Sequence, residues 1–321
     1  MSKNKHPVFK FIMFTVGTAA AIHCINRYIT KMSITKEKLK VGKGSYYNWK
    51  YGNIYYTKKG NGEPLLLIHD LSPFGSSYEW ESIIHTLAKD YTVYSLDLLG
   101  CGRSDKPAMI YSNFLYVQLI NNFIKDIIGE KTNIIANGQS APLAVMSCTY
   151  NADLFNKIIL VNPTNINDLI RIPTCKSKIA KAILDLPLLG TLLYYMITSR
   201  NNTDILLSEK YYYNPFRVSE NMIDTYYESA HLGGGKGKYL LSSITGYYLN
   251  ANITHGLKSI KNNIFLIGGK NQSNIEEILE NYKTINSSIK SSLLNNSRFL
   301  PHVEVPDFFL AAVKHYLENR E

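Results

Sequence analysis

The sequence predicts an α/β fold built on a mostly parallel, doubly wound sheet. Three observations carry that prediction. Apolar strand-like runs alternate with helical patterns from Pro64 to Val161, which implies right-handed parallel crossovers. The first run, Pro64-Leu-Leu-Leu-Ile68, is continuously apolar, as expected of a strand covered on both faces. The alternation then stops and resumes only at Asn263, so a helical insertion interrupts the sheet after its sixth strand.

Taken in order, Lys3, Lys5 and Lys10 precede an apolar run from Phe11 to Ile25, extendable to Tyr28-Ile29. Roughly 20 residues cross a bilayer, and Lys10 can snorkel, so residues 8–29 are expected to enter the membrane lipid bilayer. A cleaved signal peptide, with Ala19-Ala20-Ala21 as its small-residue site, is the competing reading. Arg27, Lys31, Lys36, Lys38 and Lys40 follow the run against Glu37 alone. That excess favours a retained single-pass N-terminal anchor with the following domain on the cytoplasmic side. Residues 30–44 read as a polar tether.

Ser45–Lys50 and Asn53–Thr57 form a hairpin around Tyr51-Gly52. Tyr78–Lys89 suits a helix and Tyr91–Leu96 a strand. Tyr111–Ile128 is an amphipathic helix, with Tyr116, Ile120, Phe123 and Ile127 on one face and Gly129 at its stop. Strand 132–137, helix 141–150 and strand 157–161 follow. After the insertion come strand 263–267, helix 274–283, strand 288–294 and a closing helix over 305–319. The expected organisation is therefore anchor and tether over 1–44, core over 45–163 and 262–321, and a helical cap over 164–261. The cap is rich in tyrosine, which either lines an apolar pocket or packs the cap down. Its glycine-rich stretch His231–Gly237 has neither P-loop nor dinucleotide spacing and reads as a hinge.

The chain has 321 residues, a net charge of +10 and 45% hydrophobic residues, enough for a large core. The basicity fits a solvated surface or an anionic membrane face; no basic helix, zinc-ligand spacing or aromatic–basic strand motif points to nucleic acid. Cys24, Cys101, Cys148 and Cys175 form no C-x-x-C pair, which fits a reducing compartment and gives no metal site. No cofactor is expected.

Four motifs carry a family resemblance. Asp97-Leu-Leu-Gly-Cys-Gly-Arg-Ser-Asp-Lys-Pro107 resembles the signature D-x-x-G-x-G-x-S-x-x-P of the α/β-hydrolase superfamily. His69-Asp70-Leu71 resembles its His-Gly-apolar motif, and Gly138-Gln139-Ser140 its nucleophile turn. Pro301-His-Val-Glu-Val-Pro306 resembles the tail after its catalytic histidine. The resemblance runs from residue 45 to residue 320. It implies an eight-stranded, mostly parallel sheet with a cap after the sixth strand, and serine chemistry on an ester, thioester or amide. Ser140 then takes the nucleophile position, with the Leu71 and Ala141 N–H groups as oxyanion donors. Read without the family, Ser140 is equally a helix N-cap.

Departures accompany the match. Asp70 replaces a glycine and brings the wrong charge toward an oxyanion. Pro142 replaces the second glycine of the turn. Asn271 stands at the acid position, Val161-Asn162-Pro163 offers no alternative acid, and Asp168 is near only in sequence. Phe299 stands at the base position, and a shift of one residue gives Arg298. His302 is the substitute base to test, with His231 and His255 behind it; His69 is structural in the family. Hydrolysis is thus expected to be strongly impaired, leaving binding of a small or acyl-bearing apolar ligand. The alternative is an active esterase or thioesterase using Ser140 and His302.

Overall fold

The computed structural model describes residues 6–39 and 44–318. Eight strands form one sheet: β1 (Ser45–Trp49), β2 (Gly52–Lys59), β3 (Glu63–Ile68), β4 (Tyr91–Leu96), β5 (Thr132–Asn137), β6 (Phe155–Val161), β7 (Ile264–Gly269) and β8 (Lys290–Leu294). Their spatial order is β1-β2-β4-β3-β5-β6-β7-β8. The β1–β2 and β2–β4 pairs are antiparallel and the rest parallel, in the expected fold class. The order reverses between β3 and β5, which places the loops after these two strands side by side at the sheet's carboxyl edge. Ligands of open α/β sheets bind at such switch points.

The helices are α1 (His6–Ser33), α2 (Glu81–Leu87), α3 (Asn113–Phe123), α4 (Ala141–Tyr150), α5 (Ile166–Leu169), α6 (Cys175–Asp185), α7 (Leu188–Ile197), α8 (Arg200–Ile205), α9 (Glu220–His231), α10 (Lys238–Thr245), α11 (Thr254–Ser259), α12 (Ile275–Ile285), α13 (Pro301–Glu304) and α14 (Pro306–Glu318). The alternating sides of β3 explain why it reads as one apolar run. Leu66 and Ile68 join the core under α3, α4 and α12, while Leu65 and Leu67 join the core under α2 and α14. The predicted helix from Tyr111 is α3 continued by a π turn through Ile128, closed by Gly129 at φ +77°.

Helices α5–α11 all fall between β6 and β7. The cap tyrosines Tyr194, Tyr195, Tyr212 and Tyr226 are buried and pack the cap, while the largely buried Tyr211 borders a cleft. The glycine-rich stretch is also packed. A Cβ at Gly235 would lie 2.4 Å from Thr191 Cγ2, and one at Gly237 2.2 Å from Tyr194 Oη. These glycines allow close approach of backbone and cap.

The tether differs from expectation. Helix α1 continues through Ser33, and the chain beyond it is tied to the cap. Lys36 Nζ pairs with Asp224 at 2.6 Å. Both Glu228 oxygens accept backbone N–H bonds, from Lys38 at 2.7 Å and Leu39 at 3.1 Å. Lys40 lies outside the described residues. Within α1, Phe9–Ser33 is 25 residues long and, by length and composition, apolar enough to cross a membrane.

Candidate functional site

The site is built from three loops at the carboxyl edge of the sheet and one segment of the cap. The sharp turn after β5 has its left-handed residue at Gly138, φ +56°. Strand β5 ends at Asn137, so Gly138 is the apex of the strand-to-helix turn. Ser140 lies two residues later, with helical φ −81° and ψ −17°. This corrects the sequence placement of Ser140 as the raised hydroxyl. Its side chain is fully buried and donates to the His69 carbonyl at 2.6 Å, away from solvent. It makes no helix-capping bond either. Ala141 N–H is spent on the Gly138 carbonyl, so it is not an available oxyanion donor. Pro142 falls in the first turn of α4, where its missing N–H costs nothing.

Asp70 occupies the space in front of this apex. Its Oδ1 accepts the Gln139 N–H at 2.8 Å, and its backbone carbonyl accepts the Ser72 N–H at 2.9 Å. Tyr211, from the cap segment after α8, donates to Oδ2 at 3.3 Å. A Cβ at Gly138 would sit 2.3 Å from Asp70 Oδ1 and 2.7 Å from Phe299 Cζ. The apex therefore points at a carboxylate and a phenyl ring.

Two buried carboxyls share this corner. Burial raises Asp70 to about 6, against the pull of its hydrogen bonds. Burial, then the Asp70 charge, raises Glu79 to about 8. The two carboxyls repel one another's charge, so the pair resists ionising together. Glu79 accepts the Asp70 N–H at 3.1 Å and the Asn137 amide at 2.8 Å. Its partner on the other side is His302, 3.5 Å away.

His302 is not placed as a base. It is fully buried, stacked on Trp80 at 4.2 Å and edge-on to Phe309 at 5.5 Å, outside the cleft. Burial lowers it to about 3, so it is neutral under Trp80. His69 is structural: Nε2 accepts the Leu98 N–H at 3.0 Å, which leaves the proton on Nδ1 facing the Asp70 carbonyl. His231 is buried beneath Tyr195 and Tyr227, and His255 is exposed on α11.

Phe299 is held at the cleft wall by its backbone, its N–H donating to Tyr211 O and its carbonyl accepting from Asn162. Its ring lies 4.6 Å from that of Tyr211. Asn162, at φ +40°, braces three strand ends at once. It accepts Gly269 N–H and donates to the carbonyls of Arg298 and Phe299, at 2.9–3.0 Å. Asn271 is exposed and outside the cleft lining; its N–H bonds to Ser297 O. Arg298 reaches the Asn271 carbonyl at 3.4 Å. Asp168 lies on the cleft rim, paired to Arg171 at 2.7 Å.

The cleft beside Asp70, Gly138, Gln139, Tyr211 and Phe299 has a volume of about 450 Å³. A larger one, about 880 Å³, opens near Glu63, Asp90 and Lys131 at the opposite edge of the sheet. The smaller is the candidate because the switch point lies there. No cluster of metal-ligating side chains occurs among the described residues.

Sequence reasoning missed Gly138 and Asn162. The available signal was distance: the apex must follow the strand directly, and Ser140 lies too far past Asn137. Ala136, Gly138 and Ser140 also give small residues at alternate positions, the spacing of the whole turn motif shifted by two.

Comparison with known proteins follows the same geometry. Residues 63–283 match the family model described as alpha/beta hydrolase fold. A 2-hydroxy-6-oxo-6-(2'-aminophenyl)hexa-2,4-dienoic acid hydrolase of Metapseudomonas resinovorans is 28% identical over 33% of this chain and 37% of its own length. The match thus spans little more than a third of that relative. Among solved structures, a serine hydrolase involved in carbazole degradation superposes with TM-score 0.70 at 17% identity, covering 86% of this chain and 98% of its own. A membrane phospholipase A described as a bacterial virulence factor gives TM-score 0.68 at 17% identity, covering 97% of each chain.

Proposed function

We propose that this chain, which belongs to the α/β hydrolase fold family, has lost hydrolysis and serves as a membrane-anchored binding or interaction protein. In hydrolytic members the N–H after the nucleophile and one from the loop after β3 stabilise the oxyanion. Here one matching donor, the Gln139 N–H, is taken up by the Asp70 carboxyl, which directly precedes the other, Leu71. That internal carboxyl is the observation that carries the reading. Backbone donors aimed at a developing charge are worth ~2.7–4 kcal/mol each, and a carboxylate already bound there removes that benefit.

Three further features support it. Gly138 at the apex has no side chain with which to attack. Phe299 offers no proton acceptor, and Asn271 carries no charge. The cleft is lined mostly by polar side chains, with Pro163, Tyr211, Ile278 and Phe299 as its apolar patch and Asp70, Asp168 and Lys210 as its charged groups, which suits a small ligand rich in hydrogen-bonding groups. For α1, the support is the 25-residue segment Phe9–Ser33, which at 1.5 Å per residue is long enough for the roughly 30 Å of a hydrocarbon core; Arg27 and Lys31 near its end and Lys36 beyond it favour a cytoplasmic domain. The esterase reading has no such support, since its base, His302, is stacked under Trp80.

The test is turnover of short- and long-chain p-nitrophenyl esters and thioesters by the full chain in detergent. The expected rate equals that of the Ser140→Ala variant and of buffer. Hydrolysis abolished by Ser140→Ala would overturn the proposal.

A further inference from the structure

The corner between α6 and α7 is an apolar surface with no protein cover. The two helices meet at 102°. Ile172, Ile179, Ile183, Leu186 and Leu189 are exposed along it. Between this corner and α1 runs a groove of about 490 Å³ with almost wholly apolar walls, from Phe11, Phe14 and Ile22 on one side and Leu186–Leu189 on the other. Exposed apolar patches of this size mark interaction surfaces.

Position along α1 identifies the occupant. Phe11 to Ile22 spans about 16 Å of helix and falls wholly within the apolar stretch. Insertion of α1 therefore carries Leu186–Leu189 into the same layer.

The backbone of the corner is already prepared for such surroundings. A bend inside hydrocarbon leaves carbonyls that water cannot satisfy. Here the buried Lys238 ammonium donates to the Leu186 carbonyl at 2.7 Å and to Pro187 at 3.3 Å. Thr191 Oγ1 donates to Pro187 O at 2.6 Å, and Asn26 of α1 to Leu188 O at 3.2 Å. Pro187 has no N–H to satisfy. Lys176 and Lys178 are exposed on α6, on stems long enough to reach lipid phosphates.

We propose that the α6–α7 corner is a second membrane element, sunk into the bilayer beside the α1 segment it touches and facing acyl chains. This rests on the reading of α1 as an anchor, and the experiment separates the two. Three forms of the full chain, each with one accessible cysteine, are labelled with an environment-sensitive fluorophore: at Cys24 of α1, at Ile183→Cys, and at Tyr150→Cys. The exposed native Cys24 and Cys175 are replaced by Ser where they are not the reporter. Tyr150 is exposed at the end of α4, beside α11 and not on the α6–α7 corner. Each is reconstituted into phosphatidylcholine–phosphatidylglycerol vesicles and titrated with aqueous iodide.

The expected result is several-fold weaker quenching at both Cys24 and Ile183→Cys than at Tyr150→Cys. Shielding at Cys24 with full quenching at Ile183→Cys would overturn the corner while leaving the anchor intact. Full quenching at Cys24 as well would overturn the anchor and the corner together.

Discussion

Asp97 and Asp70 follow neighbouring parallel strands at the same edge of one sheet, both buried, and they do opposite things. Asp97 is paired. Its two oxygens accept the N–H groups of Ser77 and Arg103 and two bonds from the Arg103 guanidinium, all between 2.7 and 3.0 Å. The neighbouring guanidinium holds its carboxyl below the usual range despite burial. Asp70 has only neutral donors, and burial raises it. The Asp97 motif closes a loop and locks Arg103 over Tyr55, at 3.9 Å from ring centre to guanidinium carbon. The loops carrying Asp70 and Gly138 stand where chemistry would occur. Motifs that fold the chain are retained here, and on the proposed reading the positions that would react are replaced. A scaffold role and a catalytic role in one fold are physically separable.

Substitutions sharpen that contrast. The largest expected effect is at Asp97. Asp97→Ala leaves a largely buried guanidinium unpaired, which costs about 3–5 kcal/mol; denaturant unfolding of the full chain in detergent measures it. Next is Gly138→Ala. A left-handed backbone costs a Cβ about 1–2 kcal/mol, and this one also meets Asp70 and Phe299. Loss well below that range would mean the turn relaxes freely and its apex is not fixed. Ser140→Ala removes one hydrogen bond to the His69 carbonyl and is expected to cost about 0.5–1.5 kcal/mol, a structural effect only.

An effect of the opposite sign belongs to Asp70→Asn. Its carboxyl is raised from the ordinary value to about 6. A raised acid binds more protons in the folded state, so its stability contribution is complete below the unfolded pKa near 4 and is lost as pH rises to about 6. The variant should match wild type at pH 4 and be at least as stable at pH 8. Lower stability of the variant at pH 8 would make Asp70 a second Asp97 and end the comparison.

The scaffold was legible because its signals are local and redundant. Pro64–Ile68 can only be a doubly covered strand, and Asp97–Pro107 matches as a block. The turn after β5 was legible as a turn but not in register. Three small residues at alternate positions, Ala136, Gly138 and Ser140, each allow close packing, and only backbone φ distinguishes the apex. The negative sign of Asp70 was readable, but not that its carboxylate would meet Gln139 N–H. Asn162 was read as an absent acid, whereas its amide joins three strand ends, a role made by tertiary contacts that no local pattern encodes. The reading of Phe299 at the base position rests on a single side chain in an aligned tail. That His302 could not replace it depended on Trp80 and Phe309, from distant parts of the chain.

The central claim is that no activated nucleophile faces the cleft. Its most direct measurement is intact-protein mass spectrometry of the full chain after incubation with a fluorophosphonate. The account predicts an unmodified mass, identical for wild type and Ser140→Ala. A stoichiometric adduct on Ser140 would contradict it.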